Sequence, residues 1–129
     1  SSAASDVYKR QVKYMGERVQ FGKPIGKNQG LQWYLADMAT RTEAAKALIL
    51  EAAVAADNGQ PLSKLAAMCK YYASENAVWV TNKALQIHGG YGYMRDYPIE
   101  RMYRDARIVP IYEGTSEVQK MVIAREVMK

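Results

Sequence analysis

The sequence is short of the residues that build covalent frameworks and metal centres. Cys69 is its one cysteine and His88 its one histidine among 129 residues. A disulfide within the chain is therefore impossible, and a Cys/His zinc site lacks ligands. A lone cysteine fits a reducing compartment. With four prolines and nine glycines the chain has too few breakers for bulk disorder. No apolar run approaches the roughly 18–20 residues needed to span a bilayer. The N-terminus is rich in Ser and Ala but has no apolar core, so no secretory leader is expected in it. No strand and no internal repeat can be read.

What is present suits one soluble domain with one core. Hydrophobic residues make up 49% and charged residues 24%. The formal net charge of +5 raises nucleic acid, anionic lipid or a phosphorylated cofactor as partners. The basic residues are scattered, however, and alternate with acids, as in Arg95-Asp96, Glu100-Arg101, Arg104-Asp105 and Arg125-Glu126. That pattern favours solvated helix faces, and no nucleic-acid partner is expected.

Helical periodicity runs through most of the chain. Residues 1–11 begin Ser-Ser-Ala-Ala-Ser-Asp, carry no clear period, and are read as a tail outside the fold. Val12, Met15 and Val19 predict a helix to about Gln20, and Gly22, Pro24 and Gly26 predict a loop. A long helix is expected from Lys27 or Asn28 to Asp57. Leu31, Leu35, Met38, Thr42, Ala45, Ile49, Ala52 and Ala56 should form its packed seam. Asn58-Gly59 ends it and Pro61 opens the next. That helix, about Leu62 to Ile87, has two adjoining faces, one through Leu65, Tyr72 and Trp79, the other through Cys69, Asn76 and Val80. It is apolar around much of its girth and rich in alanine, so it is either central or set against a partner. Cys69 lies mid-helix and receives no catalytic role.

His88-Gly-Gly-Tyr-Gly-Tyr93 closes this helix. It is not a dinucleotide fingerprint, which follows a strand, nor a Walker loop, which ends in Gly-Lys-Ser/Thr. A plain turn and a close approach to a ligand both remain open. His88 reads as a helix-end histidine whose charged form suits the helix dipole. Pro98 to Asp105 predicts a short helix in which Glu100 can pair with Arg104 and Arg101 with Asp105. Ser116 and Gln119 stand in capping-box order for a last helix running to Lys129. The fold class is all-α, an antiparallel helical bundle.

The stretch from Arg107 to Gln119 holds the chemistry. Glu113 stands between the apolar run Ile108-Val-Pro-Ile-Tyr112 and a helix start. Gly114 frees the backbone behind it, and Thr115 or Ser116 can cap the helix. A carboxylate in low-dielectric surroundings gains basicity and becomes a candidate general base. A solvent-exposed helix-entry glutamate is the other reading that these residues allow.

Seven segments, in order, resemble the C-terminal helical domain of the acyl-CoA dehydrogenases. They are Arg18-Val-Gln-Phe-Gly-Lys-Pro-Ile25 with Gln29, Leu35-Ala-Asp-Met38, Gln86-Ile-His-Gly-Gly-Tyr-Gly-Tyr93, Pro98-Ile-Glu-Arg101, Arg104-Asp-Ala-Arg107, Ile111-Tyr-Glu-Gly-Thr115 and Ile123-Ala-Arg125. The likeness covers residues 12–129. It implies an FAD-dependent enzyme that turns an acyl-CoA thioester into a trans-2-enoyl-CoA. A glutamate takes the α-proton, the β-hydrogen leaves as hydride to the flavin, and electrons pass to an electron-transferring flavoprotein. Glu113 falls on the base position. Its backbone N–H is implied as a donor to the thioester oxygen, with Tyr112 and Gly114 at the acyl group and Arg125 at CoA. Arg18, Gln20, Phe21, Asn28 and Gln29 resemble residues that reach the FAD of a neighbouring subunit, as do Gln86, Gly89 and Gly90. Thr115 and Glu117 match FAD contacts near the base.

The resemblance also implies a homodimer or homotetramer, located in the bacterial cytoplasm or the mitochondrial matrix. Members of the family carry an N-terminal helical domain and a middle β-domain that this sequence lacks. It is therefore read as a fragment, expected to bind FAD poorly and to be inactive alone, with apolar helix surface exposed. Short straight acyl chains are the leaning on overall likeness. The rival readings are a non-catalytic subunit-assembly bundle, a basic nucleic-acid-binding bundle and an acyl-CoA oxidase fragment.

Overall fold

A computed structural model describes the backbone of residues 2–129 and the side chains of residues 6–129. The first helix, α1, spans Ser2–Glu17. It therefore begins well upstream of the expected Val12, and residues 2–11 are helical rather than a structureless tail. Val7, Gln11 and Met15 recur every four residues and are all buried, which gives the helix an inward stripe. The Ser/Ala composition hid that stripe, because its first apolar member is Val7 and its middle member is polar.

After Glu17 the chain makes a two-residue antiparallel pair, β1 (Val19–Gln20) with β2 (Lys23–Pro24). A strand pair was not expected. Phe21 and Gly22 both take positive φ, 51° and 76°, as a primed two-residue hairpin turn requires. A 3-10 turn, Ile25–Lys27, leads into α2, Gln29–Asp57. Ile25 is buried and its N–H donates to Arg18 C=O at 2.8 Å, which ties the hairpin to the end of α1.

Helix α3, Ser63–His88, follows a short turn and so returns antiparallel to α2. It is the central element, packed by α1, α2, α5 (Ile99–Ile108) and α6 (Ser116–Val127). Within this chain, it occupies the central one of the two positions that its composition allowed. Met38, Val80, Ala84, Ile87 and Ile99 form the core with Val7, Met15 and Ile25. The seam expected on α2 holds at Met38, Thr42 and Ala45, but Ile49 and Ala56 are exposed. On α3 the expected Asn76, Val80 and Ile87 are buried, and so is a stripe every seven residues: Ala67, Ser74, Thr81 and His88. Its polar members return hydrogen bonds to their own helix, as Thr81 Oγ1 does to Ala77 C=O at 2.7 Å.

The two ion pairs expected on α5 do not form. Among the described residues the pairs are Lys13–Glu17, Glu43–Lys46, Arg125–Glu126 and Glu126–Lys129. Large apolar side chains remain open to solvent, Phe21 at 97%, Leu50 at 65% and Met121 at 71% among them, as expected of a piece lacking its neighbours. Among the described residues no helix is long and apolar enough to cross a membrane.

Candidate active site

The predicted site residues gather in two places that share no residue. The first is a cleft of about 570 Å³ between the end of α1, the hairpin, the start of α2 and the turn after α3. Arg18, Gln20 and Asn28 line one side, and Gln86, Gly89 and Gly90 line the other. Arg18 is fixed by Tyr91, whose ring lies 4.6 Å beneath the guanidinium. Apolar floor comes from Ile25, Leu31 and Met94. Sequence reading missed Tyr91 and this floor, although Tyr91 sits inside the glycine motif. Phe21 and Gln29 do not line the cleft; both are exposed.

The glycines here serve different ends. Gly89 ends α3 with φ 61° and ψ −139°, a conformation that an L side chain strains to adopt. A Cβ at Gly89 or Gly90 would meet nothing within 4 Å, so the wall is bare backbone open to a ligand. Gly92, in the single-turn helix α4 (Gly90–Tyr93), is instead a packing glycine. A fixed cation, three amide side chains, bare backbone and an apolar floor suit part of an elongated ligand with phosphate, sugar and flat ring. The donor set thus fits the adenosine and pyrophosphate side of FAD. Among the described residues no group of three His, Cys, Asp or Glu could hold a metal ion.

His88 lies behind this cleft and is not the exposed, charged cap that the dipole argument expects. It is buried, stacked on Tyr14 with ring centroids 3.9 Å apart, and its Nδ1 lies 3.0 Å from Ala84 C=O. Burial holds its pKa below the ordinary 6.5, with the Ala84 hydrogen bond opposing. The unfolded chain therefore takes up a proton that the folded chain refuses. Stability is full above about pH 6.5 and falls as the pH drops towards the depressed value, by at most about 1.4 kcal/mol per pH unit for one proton. His88→Phe keeps the stack and removes the proton. Melting curves at pH 7.5 and 5.5 should differ less in that variant than in the parent.

The second place is the loop of residues 109–115 between α5 and α6. Glu113 takes φ 53° and Gly114 φ 90°, so the chain turns through two left-handed residues. Thr115 is the N-cap of α6, its Oγ1 accepting from Val118 N–H at 3.3 Å. The capping box expected from Ser116 and Gln119 does not form. Ser116 Oγ donates to Glu75 Oε1 at 2.5 Å, and Gln119 Nε2 donates to Gly114 C=O at 3.4 Å. Thr115 and Glu117 border a groove of about 260 Å³ with Glu75 and Arg107. Hydrogen bonds from its own backbone N–H and from Thr115 hold the Glu117 carboxyl below the usual range. Tyr112 is half exposed, and Arg125 points to solvent beside Glu126, 3.6 Å away.

Glu113 itself is exposed. Its expected low-dielectric surroundings are not supplied by this chain, because Ile108, Ile111 and Tyr112 are each about half exposed and only Pro110 is buried. The Glu113 N–H meets no acceptor among the described residues. Lys70 holds the loop from below and was missed, since nothing local in the sequence links it to residues about forty positions away. Cys69 donates to Leu48 C=O at 3.3 Å, and burial pushes its thiol pKa up.

The chain belongs to the acyl-CoA dehydrogenases: the family model described as "Acyl-CoA dehydrogenase, C-terminal domain" matches residues 2–128. It is 70% identical over 118 residues to the acryloyl-CoA reductase (NADH) of Anaerotignum propionicum, covering 92% of this chain and 30% of that protein. It superposes on butyryl-CoA dehydrogenase from Megasphaera elsdenii with a TM-score of 0.95 and 45% identity, over 98% of this chain and 33% of the other. A structure described as the FAD complex of PigA matches at TM-score 0.93 and 30% identity, over 97% and 33%. The chain thus spans about a third of the length of the relatives it matches.

Proposed function

We propose that this chain is the C-terminal helical part of an FAD-dependent acyl-CoA oxidoreductase in which Glu113 exchanges the α-proton of the thioester. The observation that carries the reading is the loop at Glu113. It presents an exposed carboxylate and an N–H with no acceptor among the described residues on one left-handed residue. The carboxylate takes the α-proton. The N–H donates to the thioester oxygen, where charge builds as that proton leaves. FAD, when bound, supplies the hydride acceptor.

Arg18, Gln20, Asn28, Gln86, Gly89 and Gly90 hold the adenosine and pyrophosphate side of one FAD, with Phe21 and Gln29 on its rim. Thr115 and Glu117 approach another FAD near the base. The separation of cleft and loop within one chain supports a homo-oligomer, in which each subunit helps to hold its neighbour's cofactor. Tyr112 and Gly114 line the acyl end, and Arg125 meets CoA phosphate. Electrons pass to an electron-transferring flavoprotein.

The test is to express the full-length protein carrying this chain and titrate it with butyryl-CoA and octanoyl-CoA. Flavin absorbance should bleach; absence of bleaching at every chain length would sink the dehydrogenase reading. The likeness to acryloyl-CoA reductase favours a second reading, in which the same groups run in reverse and Glu113 delivers the α-proton to a short enoyl-CoA. Dithionite-reduced enzyme should then be reoxidised by acryloyl-CoA faster than oxidised enzyme is bleached by propionyl-CoA.

A further inference from the structure

Lys70 lies on α3, and its Nζ donates to two main-chain carbonyls of the loop that carries Glu113. Val109 C=O is 2.7 Å away at the start of the loop and Gly114 C=O is 2.7 Å away next to Glu113. The side chain is half buried and makes no ion pair among the described residues. Its charge is therefore directed at these two carbonyls, and charge-assisted hydrogen bonds of this length are the stronger kind. Ser116 N–H closes the same loop onto Pro110 C=O at 2.9 Å, and Ser116 Oγ ties it to Glu75 of α3.

The loop needs such a tie. Glu113 is a non-glycine residue at φ 53°, a conformation that L-residues with a Cβ disfavour. Glu113 is exposed, so no packing of its side chain holds it there. The Gly114 carbonyl belongs to the residue that follows the base. Holding the Val109 and Gly114 carbonyls together restrains the main chain between them, which is the stretch from which the Glu113 carboxylate and N–H project.

We infer that Lys70 is a positioning residue. Its ammonium clamps both ends of the 109–114 segment and so holds the carboxylate and N–H of Glu113 in one productive orientation. Lys70 touches no reacting atom and acts only through Glu113, so the inference rests on the reading of Glu113 as the base.

The test uses the full-length enzyme and three single variants, Lys70→Met, Lys70→Arg and Glu113→Gln, with the double variant of Met and Gln. Methionine fills the space of the lysine stem but donates nothing. Lys70→Met should lower kcat by ~10- to 100-fold, the scale expected when a reacting group is displaced by about 1 Å. Flavin content and KM should change less than threefold. Lys70→Arg keeps two donors and should recover most of the rate. In the double variant, Lys70→Met should cost clearly less than it does alone, because only the main-chain N–H is left to position, whereas a merely structural role would give the full loss in both backgrounds. Full kcat in Lys70→Met overturns the inference. So does a loss that tracks flavin content, or an additive loss in the double variant. If Glu113→Gln keeps its activity, the base assignment fails, and that outcome is separate from any effect of Lys70. Should Lys70→Met not fold, Lys70→Gln, which keeps an amide NH2 but loses the charge and the reach of the lysine, is read in the same assays; failure of both to fold makes Lys70 a stability residue and overturns the proposal.

Discussion

Glu113→Gln in the full-length enzyme should lower turnover by about 10²- to 10⁴-fold, the contribution expected of a positioned general base. The substitution is nearly isosteric. Glu113 is exposed and its side chain makes no hydrogen bond among the described residues, so melting temperature and flavin content should stay close to the parent. Glu113→Asp should fall between the two, because its carboxylate is withdrawn by one methylene while its charge is kept. Steady-state assays with a dye acceptor measure all three proteins. Equal rates for parent and Gln variant would move the base to another residue. The comparison is clean because the loop is fixed through Lys70, Ser116 and main-chain contacts rather than through the glutamate side chain.

Gly92→Ala should be the most destabilising of the glycine-to-alanine changes that add a methyl group against main chain. A Cβ there would lie 2.6 Å from Leu85 O and 2.9 Å from His88 Cβ. The first of these atoms is α3 main chain and cannot swing aside, so α4 must lift from α3. Overpacking of this kind costs about 1–3 kcal/mol or somewhat more, and in a full-length protein about three times this length each kcal/mol lowers the melting temperature by less than the roughly 4–8 °C expected of a small domain. Gly90→Ala is the matched control. Its Cβ would meet no atom within 4 Å, so stability should hold while flavin retention falls. Differential scanning fluorimetry with flavin quantitation separates the two effects. Similar melting shifts in both variants would refute the packing account.

The main helices were legible because their ends are signalled locally. Asn58-Gly59 and Pro61 punctuate α2 and α3, and the structure ends one at Asp57 and starts the other at Ser63. Thr42 and Asn76 fell on the expected buried faces, but the other buried polar residues of α3 were not legible. Ser74, Thr81 and His88 look like surface in a hydrophobicity pattern, yet they face inward because their hydrogen bonds return to their own helix. The start of α1 was lost for a similar reason, Gln11 being buried between Val7 and Met15.

Of the proposed site, the motif around Glu113 singled that residue out, but its environment was not legible. The apolar residues before it are present but point largely to solvent, so their sequence proximity did not become desolvation. The meeting of Arg18, Gln20 and Asn28 with Gln86, Gly89 and Gly90 joins segments about sixty positions apart. No spacing rule reaches that far; only the family likeness anticipated it. Lys70 escaped for want of a side-chain partner, since a lysine bound to carbonyls leaves no complementary charge to notice.

Helix α3 couples two distant places by its length. It carries Lys70 beneath the loop that holds Glu113 and Gln86 at the cleft lined by Arg18, roughly 24 Å further along at 1.5 Å per residue. One residue inserted between them would turn one end by about 100° against the other and slide it by about 1.5 Å. The clamp and the cleft would then no longer face their loops together. A one-residue insertion or deletion within this span should therefore disrupt both ends at once, as a single substitution on its exposed face would not. The turn at Asn58, Gly59 and Gln60 is exposed in this chain and contributes to neither the clamp nor the cleft, so an inserted tag there should leave both intact.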